Sequence, residues 1–166
     1  MIWRQGYETE NNNGIDGDFG FGAGGSRYRR RNNEVKMRKD TKSFKASAEY
    51  DLQSAESMLA SGRYIYVVFI CHLSIEKMLK AIVAEAIKKI PPKTHNLIYL
   101  IKLAEINLPQ ELFDFITKIN NASIVTRYPE DFPKLLEAYP EDVVKGYLTK
   151  TKEVIRCLQE DKRLKE

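Results

Sequence analysis

Residues 64–89 read YIYVVFICHLSIEKMLKAIVAEAIKK, the longest stretch of the chain that holds neither Gly nor Pro and keeps a helical period throughout. Wound as a helix, it gathers Ile65, Val68, Phe69, Ile75, Leu79, Ile82, Val83 and Ala86 on one face and turns Lys77, Ala81 and Lys88 to the other. Two polar residues, His72 and Glu76, fall inside the apolar face one turn apart, and Lys80 follows at its edge. The i, i+4 spacing lets each side chain meet the next. A helix that buries polar groups must find partners for them. This ladder is therefore the first place to look for chemistry, and equally the place for a structural network that only fixes helix register.

On the N-terminal side, Phe44, Ala48, Leu52, Ala55 and Leu59 recur at three- and four-residue steps, with Asp51 and Glu56 turned outward. A helix over about Ser43 to Ser61 is expected, closed by Gly62 in a left-handed cap. The short break predicts that it packs antiparallel against the helix from Tyr64 to Lys89. That second helix should stop at Pro91-Pro92.

On the C-terminal side, Thr94 can cap a short helix over about His95 to Glu105, with Leu97, Leu100, Ile101 and Ala104 inward. Pro109 suits the first turn of a further helix reaching Ile124, with Leu112, Phe113, Phe115, Ile116 and Ile119 facing the core. A loop rich in Pro and aromatics follows, in which Leu135-Leu136 make at most one turn. The last helix runs from about Glu141 to Lys162 and buries Val144, Tyr147, Leu148, Thr151, Val154, Ile155 and Leu158. No stretch alternates with period two long enough for a strand. The expected fold is all-α, an antiparallel up-and-down bundle of four to five helices.

Residues 1–42 are set apart by composition. Seven of the nine glycines lie between Gly6 and Gly25, among Asn, Asp and Ser, and no apolar period repeats there. The expectation is a disordered, basic and Gly-rich extension ahead of a bundle over 43–166, with Met37 as an alternative start. The run Gly20–Gly25 formally fits a dinucleotide-binding pattern, but no strand precedes it and a basic polar run follows. Residues 1–45 carry ten Lys/Arg against six Asp/Glu, and residues 46–166 carry seventeen of each, so the whole excess of +4 sits in the extension. A globally basic surface on the bundle is excluded, though Arg27, Arg29, Arg30 and Arg31 can meet phosphates. The apolar run Ile65–Leu73 is too short to span a bilayer. The two cysteines, Cys71 and Cys157, lie in separate helices away from any metal-spaced cluster, which suits a reducing, cytoplasmic setting.

Candidate chemistry is sparse. His72 and Glu76 have the types and reach of an acid–base pair, but two His in the whole chain make a metal site unexpected. His95, at a helix start, reads as a surface or capping residue. Arg127, in Arg127-Tyr128-Pro129-Glu130-Asp131-Phe132, can present a rigid fork to phosphate or carboxylate. Its bland alternative is an internal ion pair with Glu76, Glu130 or Asp131.

Several of these segments, in order, resemble the HEPN domain: Ala48-Glu49-Tyr50-Asp51-Leu52, Ala55-Glu56, Ser61-Gly62-Arg63-Tyr64, Ile75–Ala81 (IEKMLKA), His95-Asn96-Leu97 and Thr126-Arg127-Tyr128-Pro129. The resemblance spans about Ser43 to Leu158. It implies a helical bundle that homodimerises, with a cleft between protomers lined by the Arg-containing motif. Family members are often paired with a minimal nucleotidyltransferase in toxin–antitoxin-type modules. Many are metal-independent ribonucleases that use an Arg followed a few residues later by a His. Arg127 matches the Arg, but the run Tyr128–Lys134 contains no His. The resemblance thus implies a subunit that binds nucleotide, RNA or a partner nucleotidyltransferase rather than an efficient enzyme. Arg127, Tyr128, His72, Glu76 and Lys80 are its binding residues, and no cofactor, metal or membrane is implied. Arg127 and Asp131 are the candidate catalytic groups, and Asp131 would repel the scissile phosphate. Two alternatives stand beside this: a weak ribonuclease toxin using Arg127 with His72, His95 or Asp131, and a structural subunit only.

Overall fold

The computed structural model describes residues 37–126, 128 and 130–165. The Gly-rich and Arg-rich segments, the proposed dinucleotide motif, Arg127 and Pro129 lie outside the described residues. Within them the chain forms α1 (Lys39–Ala60), α2 (Tyr64–Ile87), α3 (Leu97–Leu103), α4 (Gln110–Val125), α5 (Phe132–Ala138), α6 (Glu141–Gln159) and a terminal 3-10 turn (Lys162–Leu164), with no strand among the described residues. No helix among them is long and apolar enough to cross a membrane.

Helix α2 is the centre of the bundle and touches every other helix. Val67, Val68, Cys71, Ile75, Met78, Leu79, Ala81, Ile82, Val83 and Ala84 are all fully buried. A helix apolar nearly all round is enclosed on all sides rather than laid on a surface. That corrects the expected two-faced arrangement: Ala81, assigned to the outer side, is buried, whereas Ala86, assigned to the core, is exposed because it lies in the last turn. Helix α1 docks on α2 through Ala48 and Ala55, whose small side chains allow close approach, and Ser74 Oγ donates to the Ala48 carbonyl at 2.8 Å.

The α1–α2 turn is the one expected. Gly62 adopts φ 71°, its N–H bonds the Leu59 carbonyl, and the Arg63 N–H reaches back to the Met58 carbonyl at 2.9 Å. This pair of bonds closes a helix end through a left-handed residue, which glycine adopts without a Cβ penalty. At the far end of the pair, α1 begins at Lys39, four residues earlier than the periodicity implied, and Met37 is buried in the core. The cause lies on α2. The Glu85 carboxylate accepts from the Arg38 N–H and the Thr41 hydroxyl, both at 2.8 Å. An anion at a helix N-terminus satisfies free donors and meets the positive end of the helix dipole.

Cross-helix pairs fix the directions of the rest. Lys152 pairs with Glu56, and Gln159 bonds Glu49, so α6 runs antiparallel to α1 and parallel to α2. Lys150 pairs with Glu111 and Tyr147 packs on Phe115, so α4 runs antiparallel to α6. The four long helices therefore alternate up and down, with α3 and α5 as short pieces in the connections. All seven positions expected to be inward on α6 are buried. Asp51, expected to point outward, is instead only 9% exposed and faces Lys77 of α2 at 2.6 Å.

Candidate functional site

The polar ladder of α2 is real but rearranged. Glu76 is 4% exposed, and its two oxygens are divided between two donors. Oε1 takes the Lys80 ammonium at 2.7 Å, the i, i+4 contact expected from spacing. Oε2 takes His95 Nδ1 at 2.8 Å, a contact nineteen residues along the chain. His72 Nδ1 stands 4.0 Å from the same oxygen, too far for a hydrogen bond. His72 is 1% exposed and belongs to the interior, so the expected His72–Glu76 acid–base pair is replaced by His95–Glu76.

Local structure holds His95 in place. Asn96, not Thr94, caps α3, its side chain accepting from the Tyr99 N–H at 3.0 Å. Thr94 Oγ1 accepts the Asn96 N–H, and Asn120 of α4 accepts the Leu97 N–H at 2.9 Å. The segment carrying His95 is thus tied to α3 and to α4 on its C-terminal side, while the imidazole, with 63% of its side chain exposed, faces solvent. Capping is the work of its neighbour, and His95 itself serves the carboxylate.

Charge follows from this geometry. Burial pushes the Glu76 carboxyl up, but hydrogen bonds from Lys80 and His95, with their positive charge, outweigh it and hold the group below its ordinary value. An ionised carboxylate can only accept hydrogen bonds, so His95 Nδ1 must be the donor. A neutral His95 then carries its lone pair on Nε2, which has no hydrogen-bond partner among the described residues.

A second feature lies at the end of α4. A groove of about 560 Å³ is lined by Ile124, Val125, Tyr128, Asp131, Lys134 and Tyr139, among others. Tyr128 is 77% exposed, and Ile124, Val125, Phe132 and Leu136 are each about half exposed. Such a concentration of exposed apolar side chains marks a surface that meets something else. Asp131 is not available as a base: Oδ1 caps α5 by accepting the Lys134 N–H, and Oδ2 pairs with the Lys134 ammonium, both at 3.2 Å. Among the described residues no three His, Cys, Asp or Glu side chains are grouped to hold a metal ion. Of the residues singled out from the sequence, Glu76 and Lys80 come together, His72 lies close by and Tyr128 opens on the groove. Arg127 is outside the described residues. The His95–Glu76 contact had no local signal, because its partners are on different elements.

Two solved structures share the fold. TT1696 from Thermus thermophilus superposes with a TM-score of 0.63 at 18% identity, covering 72% of this chain and 96% of that one. ST0689, described as an archaeal HEPN homologue, gives 0.58 at 20% identity, covering 72% and 94%. No curated protein matches the sequence significantly. The HEPN domain model matches residues 41–162, nearly the whole described bundle, and the chain belongs to the HEPN family.

Proposed function

We propose that this HEPN chain is a binding subunit whose ligand is RNA or a nucleotide. Arg127 contacts phosphate, and Tyr128 offers a ring on which a base stacks. The observation that carries the reading is the groove at the end of α4, where the most exposed of its large apolar residues, Tyr128, sits beside Arg127 in sequence. Base stacking on an exposed aromatic tolerates any sequence, and an arginine beside it supplies a two-pronged contact to a phosphate. The chain acts as a homodimer, paired with a minimal nucleotidyltransferase in a toxin–antitoxin-type module.

The test is a titration of labelled single-stranded RNA and of ATP by fluorescence anisotropy. Tyr128→Ala should weaken binding by roughly 5- to 150-fold, the loss of one stacked base. Arg127→Ala should weaken it further and flatten its salt dependence. Binding of neither RNA nor ATP by the wild type sinks the reading. The groove then belongs to a protein partner, which co-purification with a nucleotidyltransferase would identify.

A further inference from the structure

His95 is the exposed member of the chain's two histidines, and a carboxylate that is itself buried fixes one edge of its ring. A solvent-facing imidazole tethered only to close the fold would do as well on a surface carboxylate. Here the anion is 4% exposed, shared with Lys80 at 13% side-chain exposure, and so kept ionised and immobile. The arrangement selects the tautomer that presents a bare Nε2 outward. His95 also lies near the groove. Asn120, which holds the neighbouring Leu97, is one turn of α4 before Ile124, about 6 Å along the axis.

We propose that His95, aimed by Glu76, is the group that moves protons on RNA bound to this face, filling the place of the histidine absent after Arg127. This rests on the reading that RNA binds here. His95 is the catalytic residue, and Glu76 and Lys80 are positioning residues. Nε2 takes the proton of a ribose 2′-hydroxyl as that oxygen forms a bond to the adjacent phosphorus and the bond from phosphorus to the 5′-oxygen breaks. The departing 5′-oxygen takes a proton from water, and the imidazolium gives its own to the hydroxide left behind. The products are a 2′,3′-cyclic phosphate and a free 5′-hydroxyl, with no change of oxidation state. Asp131 cannot substitute, because its carboxylate is occupied by the α5 cap and Lys134, and His72 cannot, because it is 1% exposed.

The experiment uses the full chain, a single-stranded RNA oligomer and excess chelator. The wild type is expected to release fragments ending in 2′,3′-cyclic phosphate. His95→Gly should slow cleavage about 100-fold or more with RNA affinity unchanged, as for loss of a general base. Free imidazole should restore part of the rate, which a structural role for His95 would not allow. Glu76→Gln should lower kcat at unchanged KM, and Glu76→Asp should recover part of it, with both variants checked for a cooperative melt. RNA that binds the wild type uncleaved overturns this inference and leaves the binding reading standing. Cleavage by His95→Gly at the wild-type rate also overturns it, and failure of RNA to bind overturns both.

Discussion

Glu76 and Glu85 lie on the same helix, each about 5% exposed and each with a lysine one turn further on, yet they hold different company. Glu85 Oε1 receives a peptide N–H and a buried hydroxyl, groups that do not titrate, and only the mostly exposed Lys88 is charged. Glu76 receives an ammonium and an imidazole, with a second imidazole 4.0 Å away. Glu85 clamps the start of α1, and nothing about its partners changes with protonation or ligand. Glu76 holds groups that can exchange protons, one of them in contact with solvent. Burial of a carboxylate is thus no pointer to chemistry by itself; what distinguishes the two is whether the partners can take part in a reaction.

The largest expected effect separates them by stability. Glu85→Ala leaves the Arg38 N–H and the fully buried Thr41 hydroxyl without an acceptor. The cost should be about 3 kcal/mol, a fall in melting temperature of roughly 10 °C. RNA binding per folded molecule should be unchanged. A calorimetric melt beside the anisotropy titration checks both, and lost binding in a folded Glu85→Ala protein would erase the distinction.

Glu76→Gln comes next, at about 2 kcal/mol. Both oxygens of Glu76 face donors, so an amide turns its NH2 against either Lys80 or His95 whichever way it lies. Acid should act on both carboxylates together. Hydrogen bonding outweighs burial at each and holds both below their ordinary values. The unfolded chain therefore binds protons at a pH where the folded one does not. Their stabilisation is complete above the ordinary glutamate pKa of about 4.3 and is lost as pH falls through the lower folded values. Denaturant midpoints measured downward from neutral pH should fall less steeply in Glu76→Gln than in the wild type.

The bundle was legible because its core repeats are local. The seven inward positions of α6 and the left-handed Gly62 each follow from spacing within one element. What could not be read depended on a partner elsewhere in the chain. Asp51 looked like an outer residue until Lys77 of α2 supplied its charge. Helix α1 looked shorter because its first turn is completed by Glu85, forty-seven residues from Arg38. The His95–Glu76 contact failed to show for the same reason, whereas Glu76–Lys80, with helical spacing, did. Ala86 has the right period but sits at the end of α2, where period no longer implies cover.

The smallest effect is the sharpest test of the comparison. In Glu85→Gln the amide oxygen can take over both bonds now made to Oε1, because Arg38 N–H and the Thr41 hydroxyl converge on that one atom. Only the contact of Oε2 with Lys88 is lost, and that lysine is 63% exposed, so water replaces it. The expected cost is about 0.5–1 kcal/mol, well under half that of Glu76→Gln, although the two substitutions are chemically identical and made at equally buried positions. Equal costs for the two would mean that charge, not the arrangement of donors, is what each site stabilises. The reading of Glu85 as a clamp indifferent to ionisation would then fail, together with the contrast that singles out Glu76.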